Sequence, residues 1–321
     1  MPVNCIFGVK GTVLQLLVVV QCIVLWVLAN ICIWFLIRYK KFRKRASNVI
    51  ITNLLISDSL ASLFSSLYRG YLNNCKSVFF EECTFAVFFT RTFTYVSMAL
   101  LLFFTIERYL KLVKPDIHYK VLLSKFRLWA GITGIWVGGV SFSFITTPYW
   151  ITFKVKTLLT MPREMCVFST VLEPLSGMIT LFLSQFLAII VLIVINCILG
   201  VRIRHILMSV RKRLPTSNEQ DDRNKEILKK VEVNLFIMSN IYALLYIPCL
   251  GLSVIDILAF LGQLNATTYQ PNERATFVLV NLAAIYPFCE AITCFFLNKD
   301  LKRLMVDFWN KSIGKVRVST T

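Results

Sequence analysis

Seven stretches of this chain are long, apolar and almost free of charge, so most of it can be at equilibrium only in a solvent other than water. Four of them, 11–37, 128–153, 174–201 and 233–255, contain no Asp, Glu, Lys or Arg. The other three, 46–68, 83–106 and 275–298, hold one charged residue each: Asp58, Arg91 and Glu290. A helix needs about 20 apolar residues to cross a hydrocarbon core about 30 Å thick, and every run reaches that length. The ten-residue alternating segments of a membrane β-barrel are absent, which leaves helices to satisfy the backbone in lipid. With 57% of the 321 residues hydrophobic, 16% charged and no Gly/Ser/Pro-rich linker, the chain reads as one membrane domain. The expected fold class is an all-α membrane protein. A seven-transmembrane helix bundle spans 11–298, after an extracellular N-terminus (1–10) and before an amphipathic helix and cytoplasmic tail (299–321).

An odd number of spans puts the termini on opposite sides, and the distribution of Lys and Arg says which side each occupies. Residues 38–45 carry six Lys/Arg, 108–127 six, 202–230 nine and 299–317 six, so 27 of the 35 belong to one face. That face is expected to be cytoplasmic, with the N-terminus outside and the chain a multi-pass plasma-membrane protein. The net charge of +18 is then spread over inner loops that face anionic lipid, and it implies the bilayer as partner and no nucleic acid. Ten residues precede the first run without a charged segment and cleavage site, so no cleaved signal peptide is expected.

Six of the ten cysteines lie within spans as small hydrophobes, whereas Cys5, Cys75, Cys83 and Cys166 fall on the outer, oxidising side. A bridge from Cys83 to Cys166 would pin the loop between spans 4 and 5 over the bundle. Spacing alone leaves the connectivity open, including a pairing of Cys5 with Cys75. Asn265-Ala266-Thr267 is a glycosylation sequon in the outer loop between spans 6 and 7.

Ionisable groups inside a membrane are costly, so they mark candidate functional positions. Asp58 lies mid-way along span 2, in sequence register with Asn30, Asn53 and Ser97, and Glu107-Arg108-Tyr109 closes span 3 before Lys114-Pro115. Span 4 holds Trp136, and span 6 holds Tyr246-Ile247-Pro248. From Asn30 to the run Asn298-Lys299-Asp300-Leu301-Lys302, this ordered set resembles the rhodopsin-like (class A) G-protein-coupled receptors. Cys83 precedes Arg108 by 25 residues and Pro115 follows it by seven, as in the family's pattern. The chain departs from that pattern with Tyr246 where Trp is usual, no mid-helix proline in span 5, and Glu290-Ala291-Ile292-Thr293-Cys294 in place of Asn-Pro-x-x-Tyr. Pro287, with the runs after spans 3 and 7, resembles the odorant or chemosensory members.

The resemblance implies a receptor that binds an extracellular ligand in the outer half of the bundle and activates a heterotrimeric G protein, with arrestin and a receptor kinase as further partners. It implies a Cys83–Cys166 disulfide and makes Glu107, Arg108 and Tyr109 the G-protein switch, the alternative for Arg108 being an anchor that snorkels to headgroups. Asn30, Asp58, Ser97 and Glu290 are expected to form a polar cavity for Na⁺ or protons, because hard cations prefer oxygen ligands. The competing reading is a hydrogen-bonded cluster without an ion.

Arg91 lies eight residues beyond Cys83, about 12 Å into the membrane at about 1.5 Å per residue, a depth that suits a pocket. The neighbouring Thr90 supplies no acid, so the anchor for an amine ligand is missing. A buried guanidinium matches a carboxylate or phosphate, which points to an acidic ligand beside an odorant. Arg69 and Tyr246 are expected to line the same pocket, with Pro248 and Pro287 as hinges. Arg91 in an internal salt bridge is the alternative.

Span 7 has no lysine for retinal, which excludes an opsin, and no span joins a nucleophile to a base, so the chain is not read as an enzyme. A secondary transporter of a small solute is the different-class alternative. It would carry internal repeats, broken Gly/Pro-rich spans and several paired midplane charges, whereas the chain shows no repeat and only three charged spans.

Overall fold

The computed structural model describes residues 13–74, 77–113, 124–145, 160–162, 186–198, 200–202, 285–293 and 301–308, with isolated helical positions at 205, 241, 244–245, 247–248, 251, 254 and 310. Its elements are α1 (Val13–Arg38), α2 (Lys40–Arg43), α3 (Ala46–Asn74), β1 (Ser77–Phe79), α4 (Phe80–Val113), α5 (Lys125–Ile145) and β2 (Thr160–Pro162). Among the described residues four helices, α1, α3, α4 and α5, are long and apolar enough to cross a membrane, and a shorter apolar one covers Phe186–Arg202. These correspond to the first five apolar runs of the sequence. Further helix covers 285–293, within the seventh run, and 301–308.

The helices are apolar on all sides, as a bilayer requires and water forbids. On α1, Leu25, Ala29, Cys32 and Phe35 form a buried stripe at helical spacing, while Ile23, Trp26, Trp34 and Ile37 remain exposed. That outer set is the surface lipid covers. The α3 and α4 helices are the most enclosed and pack most extensively against each other, with α1 against α3 and α5 against α4. Their contact is a single core that includes Ile50, Leu54, Val96, Leu100, Leu101, Phe104 and Ile132.

The α4–α5 approach depends on one glycine. A Cβ at Gly139 would come within 2.5 Å of Val96 Cγ2, so the valine side chain would have to shift to admit it, while the Thr92 carbonyl at 3.6 Å would be in ordinary contact. Gly134 and Gly138 on the same helix meet nothing within 4 Å.

Two short strands were not legible in the sequence. β1 pairs antiparallel with β2, with Ser77 opposite Pro162 and Phe79 opposite Thr160. Three residues are too few for a period-two pattern to register, yet their pairing satisfies loop backbone next to the membrane. The ribbon draws the connection after α5 to the start of α4.

In the helix at 301–308, Leu301 is buried in the bundle's core with Leu304 and Met305 packed against it, and the exposed Phe308 meets Trp34 edge to face at 5.5 Å.

The close crossing makes a testable difference between two glycines. Gly139→Leu should overpack the α4–α5 contact and destabilise the protein by about 1–3 kcal/mol, whereas Gly134→Leu should leave its stability unchanged. Thermal unfolding of the two purified variants in one detergent checks this, and equal midpoints would contradict the packing argument.

Candidate functional site

Three groups of polar side chains interrupt the apolar bundle, at its middle, at the end where α3 begins and α4 finishes, and in the opposite half. The middle group is built on α3 and α4, whose tight packing faces Asp58 to Ser97. The Ser97 hydroxyl donates to Asp58 Oδ1 at 2.5 Å, with both residues buried. Glu290 is close enough to Asp58 for the two buried carboxyls to interact, and Tyr286 lies beside Glu290. Asp58 Oδ2 and both Glu290 oxygens are buried and receive no well-formed hydrogen bond. Two facing carboxyl groups can coexist there only with a proton or a cation between them. The donors present, two carboxyls and a hydroxyl, are all oxygen, the set that a hard monovalent cation accepts.

Asn30 is not part of this cavity. Its amide donates to the Trp26 carbonyl of its own helix at 2.7 Å, on an exposed face of α1. Asn53 instead supports the cavity's frame. Its Oδ1 accepts the Trp136 indole N–H at 3.3 Å and its Nδ2 donates to the Val49 carbonyl at 2.9 Å, tying α3 to α5.

At the end where α3 begins, Glu107 is buried and is held from two sides. Ser47 on α3 donates to Glu107 Oε1 at 3.0 Å, and Arg108 Nε stands 3.4 Å from Glu107 Oε2. The Arg108 guanidinium also lies 4.9 Å from the centre of the Phe104 ring, and its side chain is 22% exposed. It is therefore partly accessible while still paired. Tyr109 packs against the core beside it.

In the opposite half of the bundle, Arg91 is 2% exposed, so its charge is fully desolvated. Its Nη2 donates to the Tyr95 hydroxyl at 2.9 Å, and its guanidinium lies 5.5 Å from that ring, which meets Phe142 of α5 edge to face at 4.8 Å. Nε and Nη1 have no hydrogen-bond partner, and neither has the hydroxyl of the adjacent Thr90. A cation with unfilled donors in a dry site is costly unless something supplies the acceptor.

Cys83 lies in the first turn of α4 and Arg69 near the end of α3, but their side chains are outside the described residues. So are Cys166, Tyr246 and Asn265. Pro248 is half-buried at a helical position, and Pro287 is buried one turn before Glu290. Two functional contacts were missed from sequence. Tyr95 is four residues after Arg91 and could have been found from helical spacing, whereas nothing in the sequence couples Ser47 to Glu107, 60 residues away.

A family model described as 7 transmembrane receptor (rhodopsin family) matches residues 29–294. The chain is 33% identical over 96 residues to Olfactory receptor 4K2 of Homo sapiens, covering 29% of this chain and 30% of that protein. It is 31% identical over 122 residues to G-protein coupled receptor homolog FPV027 of Fowlpox virus (strain NVSL), covering 37% of this chain and 35% of that protein. The matched segments thus span about a third of the length of each of these relatives.

The central contact predicts a contrast between two buried serines. Ser97→Ala removes the hydrogen bond to Asp58 Oδ1 and should destabilise the protein by about 1–3 kcal/mol. Ser59, whose buried hydroxyl makes no hydrogen bond, should tolerate alanine with little change. Chemical or thermal unfolding of the two variants measures the difference.

Proposed function

Because the chain belongs to the rhodopsin family of seven-transmembrane receptors, we propose that it binds an extracellular ligand carrying an acidic group in the outer half of its seven-helix bundle and activates a heterotrimeric G protein at its cytoplasmic face. Members of this family are signalling receptors and not enzymes, and membership removes the ground for a transporter. The observation that carries the ligand reading is Arg91, a desolvated guanidinium with Nε and Nη1 unfilled next to the unfilled Thr90 hydroxyl. A carboxylate would accept from both nitrogens in the paired geometry that arginine offers. Tyr95 holds the guanidinium in place from the side. Arg69 and Tyr246 complete the proposed pocket, and an odorant with an acidic group is compatible with the similarity to an olfactory receptor.

The N-terminus is assigned to the outside and the C-terminus to the cytoplasm of the plasma membrane, on the bias of Lys and Arg toward one set of loops. In that orientation the Cys83–Cys166 disulfide and the Asn265 glycan are extracellular. Glu107, Arg108 and Tyr109 face the G protein, and later arrestin and a receptor kinase. Asp58, Ser97 and Glu290 would hold a Na⁺ ion, which would neutralise the facing carboxyls. Pro248 and Pro287 serve as hinges, since each removes a backbone hydrogen bond where a helix must bend. Arg108, paired with Glu107 here, is free to exchange that partner for the G protein when the helices part, and Ser47 steadies the carboxylate it leaves.

The ligand test pairs carboxylic acids with their methyl esters on cells that express the receptor and a promiscuous G protein. Acids should activate and esters should not. Truncating a desolvated charge pair costs about 2–5 kcal/mol, so Arg91→Ala should weaken an acidic agonist by roughly 30-fold or more. Arg91→Lys should recover part of that, keeping the charge and losing the fork. If acid and ester lose equal affinity, Arg91 is an internal salt-bridge residue and the acidic-ligand reading fails. For the cytoplasmic face, Arg108→Ala should retain ligand binding and lose nucleotide exchange on the G protein. Full exchange by that variant would remove Arg108 from the switch.

A further inference from the structure

Where α1 leaves the membrane the chain carries six bases in eight residues: Arg38, Lys40, Lys41, Arg43, Lys44 and Arg45. All six are exposed. The first acidic residue of the sequence is Asp58, buried in mid-bundle, so the tract contains no acid of its own. In a loose loop such a tract would be a diffuse cloud of charge, but here it is held. Tyr39 is extended and breaks the helix, and α2 then makes one turn whose Phe42 is buried in the core near Phe35, with ring centres 6.3 Å apart. The Asn48 amide donates to the Phe42 carbonyl at 3.2 Å, and the backbone N–H groups of Lys44 and Arg45 donate to the carbonyls of Lys40 and Phe42 at 3.1 and 3.3 Å. The bases are thus displayed at fixed spacing around a buried phenylalanine.

The helix at 301–308 lies alongside through the Phe308–Trp34 contact and adds the exposed Lys302 and Arg303, with the exposed Asp307 as the one acid of that helix segment. Trp34 and Tyr39, edge to face at 5.9 Å, are the amphipathic aromatics that mark headgroup level.

We infer that this turn binds the headgroup of a polyphosphoinositide in the cytoplasmic leaflet, with its phosphates taken by Lys40, Lys41, Arg43 and Lys44 and with Lys302 and Arg303 contributing from the side. Any basic segment attracts monoanionic lipid, one charge at a time. A rigid group of cations within one helical turn gains most from an anion whose charges are equally concentrated, and several phosphates on one ring provide that. Arg43 supplies a planar fork and the lysines supply point charges. The inference rests on residues 38–45 facing the cytoplasm and does not depend on the ligand at Arg91.

The test uses the purified full-length chain in detergent, a fluorescent short-chain phosphatidylinositol bisphosphate, and two variants that each remove two exposed bases, K40Q/K41Q and K125Q/R127Q. Binding should be saturable, about tenfold weaker in K40Q/K41Q, and unchanged in K125Q/R127Q, with short-chain phosphatidylserine a poor competitor. Equal losses in the two variants, or competition by phosphatidylserine in proportion to its charge, would reduce the patch to general attraction and overturn the proposal. Displacement by free inositol trisphosphate as effective as by the lipid would assign the turn to a soluble polyphosphate and overturn it as well.

Discussion

Hydrocarbon offers no hydrogen bonds, and this one deficiency governs how every polar side chain in the bundle is placed. Most solve the problem within their own helix. The hydroxyls of Thr52, Thr92, Thr94 and Thr105 and the amides of Asn53 and Asn196 all donate to the carbonyl four residues earlier. Such groups become nearly apolar to their neighbours and can be buried anywhere. A smaller set is not satisfied in this way: Asp58, Glu290, Arg91 and Thr90 keep buried polar atoms without a partner. These are the positions at which an ion, a proton or a ligand would complete the structure, and the two clusters they form lie at different depths.

The same deficiency explains how distant segments are tied together. Ser97 to Asp58, Trp136 to Asn53 and Ser47 to Glu107 each link two helices through one hydrogen bond. In water such bonds would compete with solvent and contribute little. Inside the bundle they set the rotation of α3 against α4 and α5, because any other rotation would strand a polar group in lipid. Close packing then follows, with Gly139 allowing α5 to approach Val96. The polar links specify the register and the apolar core fills it.

At the rim where α3 begins, the governing interaction changes from hydrogen bonding to charge. Glu107 holds Arg108 at that boundary, where the guanidinium is part buried and part exposed. Around it the bases of 38–45 and of 301–308 face outward. A buried Phe42 and a buried Leu301 anchor these two charged elements to the core, so the electrostatic surface is as well ordered as the helices that carry it.

Much of this was legible in the sequence, since a bilayer imposes a length and a composition that a chain either has or lacks. Seven apolar runs, one-sided Lys and Arg, and three charges placed within spans led directly to a seven-helix bundle and to Asp58, Arg91, Glu107 and Arg108 as its candidate functional positions. Tertiary structure decided which of those groups meet. Asn30 was expected beside Asp58 and faces outward, because sharing a depth along parallel helices does not determine which way each helix is turned. Ser47 was overlooked because its partner is 60 residues away and on another helix. Hydrophobic pattern determines that a helix crosses the membrane and how deep each residue lies; its rotation about its own axis is set by the few polar and packing contacts that only the assembled bundle brings together.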